Sequence, residues 1–265
     1  MLSSFLIYGC VGAFVGILAG LLGVGGGLVI VPILVFSFNL QGVSSEIIMH
    51  LALGTSLASI IFTSISSFMA HHRRGAVHWI IVRRIVLGIL TGTFLGSCFA
   101  SLLSTNILKG FFVFFLYFVA YQFLTNKKPK PSRELPGTTG MFGVGNVIGF
   151  ISSLVGIGGG AVSVPYMVWC NVPVHRAIGT SAAIGLPIAI SGTAGFLFNG
   201  WENELLPHYS VGFIYLPALA GIAAVSILTA PLAAKLAHSL PVGKLKKIFA
   251  LLLIVVGTRM LISIF

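Results

Sequence analysis

Aspartate is absent from all 265 residues, and glutamate occurs only at Glu46, Glu134, Glu202 and Glu204. All four lie in or beside segments that read as loops. Proton coupling through a buried carboxylate is therefore excluded, and a cation crossing the interior would meet no counter-charge. Charged residues make up 7% of the chain, against roughly 25% in soluble domains. With 57% hydrophobic residues and a mean hydropathy of +1.09, this excludes an ordinary soluble protein and a disordered one. Cysteine is also scarce. Cys10, Cys98 and Cys170 stand far apart inside apolar runs, so neither a disulfide framework nor a CxxC metal site is expected. No His/Cys/carboxylate cluster has metal-ligand spacing, and no cofactor is expected. An ATP-driven pump would need a P-loop, and an enzyme would need an acid–base pair; neither is present.

What the chain does have is positive charge and long apolar runs. Its net charge is +11, but the Lys and Arg residues form short clusters between apolar runs rather than a basic face. This argues for loops obeying the positive-inside rule and against a nucleic-acid partner. The cluster His71-His72-Arg73-Arg74 reads as one such loop. Leu2 to Leu22 is apolar like a signal peptide but lacks a basic n-region and a small-x-small cleavage site. It reads as a retained segment.

The chain repeats itself. Gly12–Pro32 (GAFVGILAGLLGVGGGLVIVP) and Gly145–Pro165 (GNVIGFISSLVGIGGGAVSVP) align without a gap and are identical at 10 of 21 positions. His50-x3-Gly54-Thr55-Ser56 parallels His175-x3-Gly179-Thr180-Ser181, and Leu108-Lys109 with Phe112 parallels Leu245-Lys246 with Phe249. The chain thus divides into a first membrane repeat over 1–125, a basic linker over 126–137 and a second repeat over 138–265. A spanning helix needs about 20 apolar residues. Three such runs occur in each repeat, near 46–70, 85–104 and 106–125, and near 176–199, 210–234 and 244–265. The run Phe111–Phe118 reads as a lipid-facing surface.

Each repeat opens with a longer element, about 5–38 and 139–172, broken by Gly23-Val-Gly-Gly-Gly27 or Gly156-Ile-Gly-Gly-Gly160. Glycine costs a helix interior roughly 1 kcal/mol relative to alanine, so four in five residues end the helix. If each element is a hairpin returning to its own side, 13 of the 15 Lys and Arg residues fall on one side, with only Lys109 and Arg259 on the other. A single kinked span would give a far more even split. The hairpin reading leaves three full spans per repeat, an odd number, so the second repeat enters the membrane upside down. The fold expected is all-α: a polytopic membrane protein of two inverted repeats, each with a glycine-broken helical hairpin plus three transmembrane helices. Secondary transporters built this way bind substrate near the midplane, at the repeat interface.

The breaks are the sharpest candidates for chemistry. A helix restarting after a break presents unpaired N–H groups and its positive dipole end, which suit an anion. Gly23, Gly25, Gly26 and Gly27, with Gly156, Gly158, Gly159 and Gly160, are candidate ligands through their backbone; tight packing at a bend is the competing reading. Thr55, Ser56, Thr180 and Ser181 are either additional hydroxyl donors or interhelical glue. His50 and His175 flank them, as ligands, as proton carriers or as residues at helix ends. Ser56, Ser59, Thr63 and Ser66 recur at helical spacing, as a path or as packing. The ladders Gly12/Gly16/Gly20, Gly145/Gly149/Ser153 and Gly88/Gly92/Gly96 read as close-approach helix faces.

The duplicated Gly-x-Gly-Gly-Gly followed by Pro, the Gly-Thr-Ser of the next helix and the late Leu240-Pro241 with Leu245-Lys246-Lys247-Ile248-Phe249 resemble the sulfite exporter TauE/SafE family. Its members are also described as toluene sulfonate uptake permeases. The resemblance covers essentially the whole chain. It implies a secondary transporter moving sulfite, an organosulfonate or another sulfur-containing anion across the bacterial inner membrane, with basic loops cytoplasmic. It points to Gly23–Gly27, Gly156–Gly160, Gly54–Ser56 and Gly179–Ser181. The partners expected are a small anion and the lipid bilayer. The energy source would be the anion's own gradient, or protons carried by histidine. A passive anion channel and a membrane assembly factor without transport activity remain open, the latter requiring exposed, reactive cysteines.

Overall fold

The computed structural model describes residues 8–9, 12–13, 26–125, 132–236 and 242–264. Gly16, Gly20, Gly23, Gly25, Cys10, Leu240-Pro241 and linker residues 126–131 lie outside them. Among the described residues the named elements are all helical: α1 (Gly27–Leu40), α2 (Ile48–Arg73), α3 (Trp79–Leu102), α4 (Thr105–Thr125), α5 (Thr138–Val155), α6 (Gly160–Trp169), α7 (Val174–Gly200), α8 (Leu216–Leu236) and α9 (Val242–Ile262). Of these, α2, α3, α4, α5 and α7 are long and apolar enough to cross a membrane. Helices α8 and α9 have 21 residues each, and α6 has 10, about 15 Å of helix or half a bilayer.

The helices fall where the apolar runs require, with two shifts. Helix α3 begins at Trp79 rather than near 85, because Arg83 and Arg84 sit on its exposed face and do not end it. Helix α8 begins at Leu216 rather than near 210, because residues 210–215 form a turn closed by the Ser210–Tyr215 bridge, with Gly212 at φ 54°. The phenylalanine run also divides: Phe114 and Phe118 are exposed, whereas Phe112 and Phe115 are buried. Helical periodicity over eight residues must place some on each face.

Both opening elements fold back on themselves. Tyr166 of α6 donates its hydroxyl to Met141 Sδ of α5 at 4.0 Å. The Trp169 carbonyl accepts the N–H groups of Ser132 and Arg133 at 3.2 and 3.3 Å, and Trp169 Nε1 donates to Ser132 Oγ at 2.7 Å. The residue ending α6 thus sits beside the residues preceding α5. At the other hairpin, Gln41 Nε2, just past α1, donates to the hydroxyl of Tyr8 at 2.6 Å, and that hydroxyl lies 3.1 Å from Ser37 Oγ.

Between helices in hydrocarbon, close approach replaces the hydrophobic effect as the source of cohesion. Helix α5 lies parallel to α3, glycine ladder against glycine ladder. Gly88 packs on the Phe142 carbonyl, a methyl on Gly92 would meet Asn146 Cα at 2.5 Å, and one on Gly149 would meet the Ile89 carbonyl at 2.7 Å. Gly12 makes the corresponding approach to Ile222 and Val225 of α8. The close-approach reading of the ladders therefore holds at their described positions. Helices α2 and α7 cross the centre antiparallel: Gly54 faces Phe196, Leu57 faces Gly192 and Ser64 faces Gly185. Helices α4 and α9 are also antiparallel, Tyr117 meeting Thr258 and Phe123 meeting Phe249. Helix α2 is the enclosed spine, with 83% of its apolar window buried against 44% for α3.

Gly92→Ala should cost about 1–3 kcal/mol, the usual penalty for overpacking, read as a lower thermal midpoint in detergent. Gly143→Ala on α5, where a methyl meets nothing within 4 Å, should hold or raise the midpoint, since alanine favours a helix interior by roughly 1 kcal/mol over glycine.

Candidate functional site

The second break is built by glycines in left-handed backbone. Helix α5 stops at Gly156, φ 67°. Its stop is a Schellman turn: Ile157 N–H donates to Ser152 O at 3.0 Å and Gly156 N–H to Ser153 O at 3.3 Å. The chain restarts as α6 from Gly159, φ 77°. Helix α1 starts the same way from Gly26, φ 72°. Any side chain at these angles costs roughly 1–2 kcal/mol, which explains why glycine punctuates both breaks. Each restarted helix carries a proline, Pro32 in α1 and Pro165 in α6.

These starts leave buried donors. Gly26 O accepts the N–H groups of Val29 and Ile30, and Gly159 O accepts those of Val162 and Ser163. The amides of Gly27 and Leu28, and of Gly160 and Ala161, precede any intrahelical acceptor and find none among the described residues. All four residues are buried. Neither N-cap glycine supplies a side-chain acceptor. Buried amides without partners are rare in proteins.

The two breaks meet. Gly27 packs directly on the Gly156 carbonyl, and a methyl there would meet Ile157 Cα at 2.9 Å. Ser56 Oγ of α2 donates to that same Gly156 carbonyl at 2.8 Å. Gly159 lies against Ile188, at the middle of α7, and a methyl on Gly185 of α7 would meet both the Gly158 carbonyl and Ser64 Oγ at 3.2 Å. Ser163 of α6 donates to Ser181 Oγ at 2.8 Å. Of the expected site residues, Gly26, Gly27, Ser56, Gly156, Gly158, Gly159, Gly160 and Ser181 are thus gathered around the breaks. Gly23 and Gly25 lie outside the described residues.

The threonines have a different task. Thr55 Oγ1 accepts Tyr215 N–H at 2.9 Å, just before α8, and Thr180 Oγ1 accepts His78 N–H at 2.9 Å, just before α3. Beside each, the glycine packs on a carbonyl two residues earlier, Gly54 on Phe213 and Gly179 on Ala76. Each Gly-Thr pair therefore clasps a loop from the opposite half of the chain. This is the glue role for the threonine oxygens; their protons remain available to donate. Ser59 and Thr63 are buried and donate to Thr55 O and Ile60 O of their own helix, the packing role.

The histidines are dissimilar. His50 is buried with Nε2 at 3.1 and 3.0 Å from the carbonyls of Ala100 and Leu103, its ring 5.2 Å from Phe213. It caps the end of α3, and its Nδ1 has no partner. His175 is exposed at the start of α7. Neither hydrogen-bonds to the breaks. Cys170 is buried, and Cys98 is half-buried, 3.3 Å from Asn199 Nδ2. No group of three or more metal-ligating side chains exists among the described residues.

Sequence reasoning missed Ser163, Ser64 and Gly185 at the second break. The signal for Ser163 lay in the repeat alignment, where this serine replaces Ile30 between otherwise matching valines. The loop amides of His78 and Tyr215 left no signal, because any residue supplies an N–H.

A family model for the sulfite exporter TauE/SafE matches residues 8–260. A probable membrane transporter protein of Haemophilus influenzae is 41% identical over 265 residues, covering 99% of this chain and 100% of that one. A probable membrane transporter protein of Methanocaldococcus jannaschii is 30% identical over 256 residues, covering 95% and 93%. No solved structure matches the chain.

Replacing Thr55 or Thr180 by valine strands a loop N–H, at a cost of about 1–3 kcal/mol. Each valine variant should unfold at lower temperature than the corresponding serine variant, which keeps the acceptor.

Proposed function

The chain belongs to the sulfite exporter TauE/SafE family and is a membrane transporter, and from that premise we propose that it is a secondary transporter carrying a small anion, sulfite or an organosulfonate, by alternating access. One observation carries this reading: four buried backbone amides, of Gly27, Leu28, Gly160 and Ala161, lie at two helix starts whose breaks touch and have no acceptor among the described residues. Two buried helix N-termini at touching breaks favour negative charge without a basic side chain. Such a site can release its ligand, because no fixed full charge holds it. Ser181, whose oxygen accepts from Ser163, would add a hydroxyl donor, Ser56 would hold the Gly156 carbonyl away from the anion, and the protons of Thr55 and Thr180 lie further out. The absence of aspartate and the loop positions of all four glutamates keep repulsive charge away.

The mechanism follows from a reading of the chain as two inverted repeats, residues 1–125 and 138–265. The antiparallel runs of α2 with α7 and of α4 with α9 support it, since these pairs are equivalent in the repeat alignment. The paired clasps, Thr55 to Tyr215 and Thr180 to His78, relate by the same exchange. In this reading the two halves rock about the α2–α7 contact while the anion stays at the breaks. The setting is the bacterial inner membrane, with the basic loops in the cytoplasm by the positive-inside rule. Among the described residues His50 is the one buried histidine, so proton coupling would pass there; His175 is exposed.

Sulfite uptake into proteoliposomes, with and without an imposed pH gradient, tests this. Saturable uptake above protein-free vesicles, lowered by Ser56→Ala with Ser181→Ala, is the expected result. Non-saturating flux would indicate a pore, and no uptake of sulfite or toluene sulfonate would contradict the proposal.

A further inference from the structure

Helices α1 and α9 enclose a cavity of about 220 Å³, lined by Pro32, Phe36, Asn39, Val256, Arg259 and Ser263 among others. It is separate from the glycine breaks. Its floor is apolar and its rim is polar. The guanidinium of Arg259 lies 4.5 Å from the centre of the Phe36 ring, which holds one face and leaves the edge N–H donors free. No carboxylate pairs with Arg259 among the described residues. A second cation lies close: Lys109 is buried, and Nζ donates to the carbonyl of Ser263 at 3.5 Å. Arg259 and Lys109 are the two cations on the otherwise cation-poor side.

We infer that this cavity binds one anionic phospholipid of the bilayer, the phosphodiester on Arg259 and an acyl chain on the apolar floor. Three features select this occupant. The polar rim sits in the last turn of α9, where headgroups lie, while Pro32 is seven residues from Asn39, about 10 Å deeper along α1. The cavity opens among side chains that face the bilayer, with Phe36 44% exposed and Val255 61% exposed. An unpaired arginine at a lipid-facing site finds its counter-charge in an anionic headgroup. The arginine is also not part of the repeated scaffold. By the alignment of Leu108-Lys109 and Phe112 with Leu245-Lys246 and Phe249, the corresponding residue of the first repeat is Gln122.

Native mass spectrometry of the full chain with phosphatidylglycerol and with phosphatidylcholine of identical acyl chains tests the inference. Wild type should retain phosphatidylglycerol preferentially, Arg259→Gln should weaken that retention roughly tenfold, the loss of one charge-assisted pair, and Arg259→Lys should weaken it less. Val256→Trp, which fills the floor and leaves the charge, should weaken it too, so the inference does not rest on one variant folding. Equal retention by wild type, Arg259→Gln and Val256→Trp would overturn it. So would Arg259-dependent binding of methanesulfonate without phosphatidylglycerol binding, which would assign the cavity to a water-borne anion.

Discussion

A backbone broken inside hydrocarbon must find its hydrogen-bond partners in protein or in a ligand, because the bilayer offers none. The rest of this structure follows from meeting that demand twice. The second opening hairpin ends α5 at Gly156 and starts α6, α1 starts from Gly26 with Gly27 against that end, and both hairpins are covered by elements from the opposite half. Helix α5 lies on α3 through facing glycine ladders, and Gly12 approaches α8 in the same manner. The carbonyl of Gly156 is satisfied by Ser56. Among the described residues, the first-turn amides at the starts of α1 and α6 remain buried without an acceptor.

Interlocking explains why small residues are conspicuous. Close approach of helix backbones is the cohesive term available in lipid, and it needs glycine where the partner's backbone comes within a methyl radius. The Gly-Thr clasps add a polar version of the same device. A glycine lets a loop carbonyl approach, and the neighbouring threonine binds the N–H two residues on. Because each clasp reaches across the halves, the α2–α7 spine and the starts of α3 and α8 form one connected unit. Any rocking motion must bend around it rather than through it.

Much of this was legible in the chain itself. The Gly-rich runs, the apolar lengths and the sidedness of Lys and Arg were enough to expect hairpins with three further helices each, since these signals are local and periodic. The duplication placed one break in each repeat, and the structure sets Gly27 against Gly156. Three things were not legible. The threonines' partners are backbone amides, which no side chain announces. The different surroundings of His50 and His175 arise from tertiary packing: one ring is trapped between the end of α3 and Phe213, and the other points outward from a helix start. Helix starts at Trp79 and Leu216 depended on which face two arginines occupy and on the turn at Gly212, neither visible in an apolar-run count.

The central claim is that the first-turn amides of α1 and α6 hold the anion. Hydrogen–deuterium exchange of the purified protein, with and without sulfite, reads those amides directly. The account predicts slowed exchange confined to peptides covering Gly26–Leu28 and Gly159–Ala161 when sulfite is added. Unchanged exchange there, with slowed exchange at another part of the chain, would contradict it.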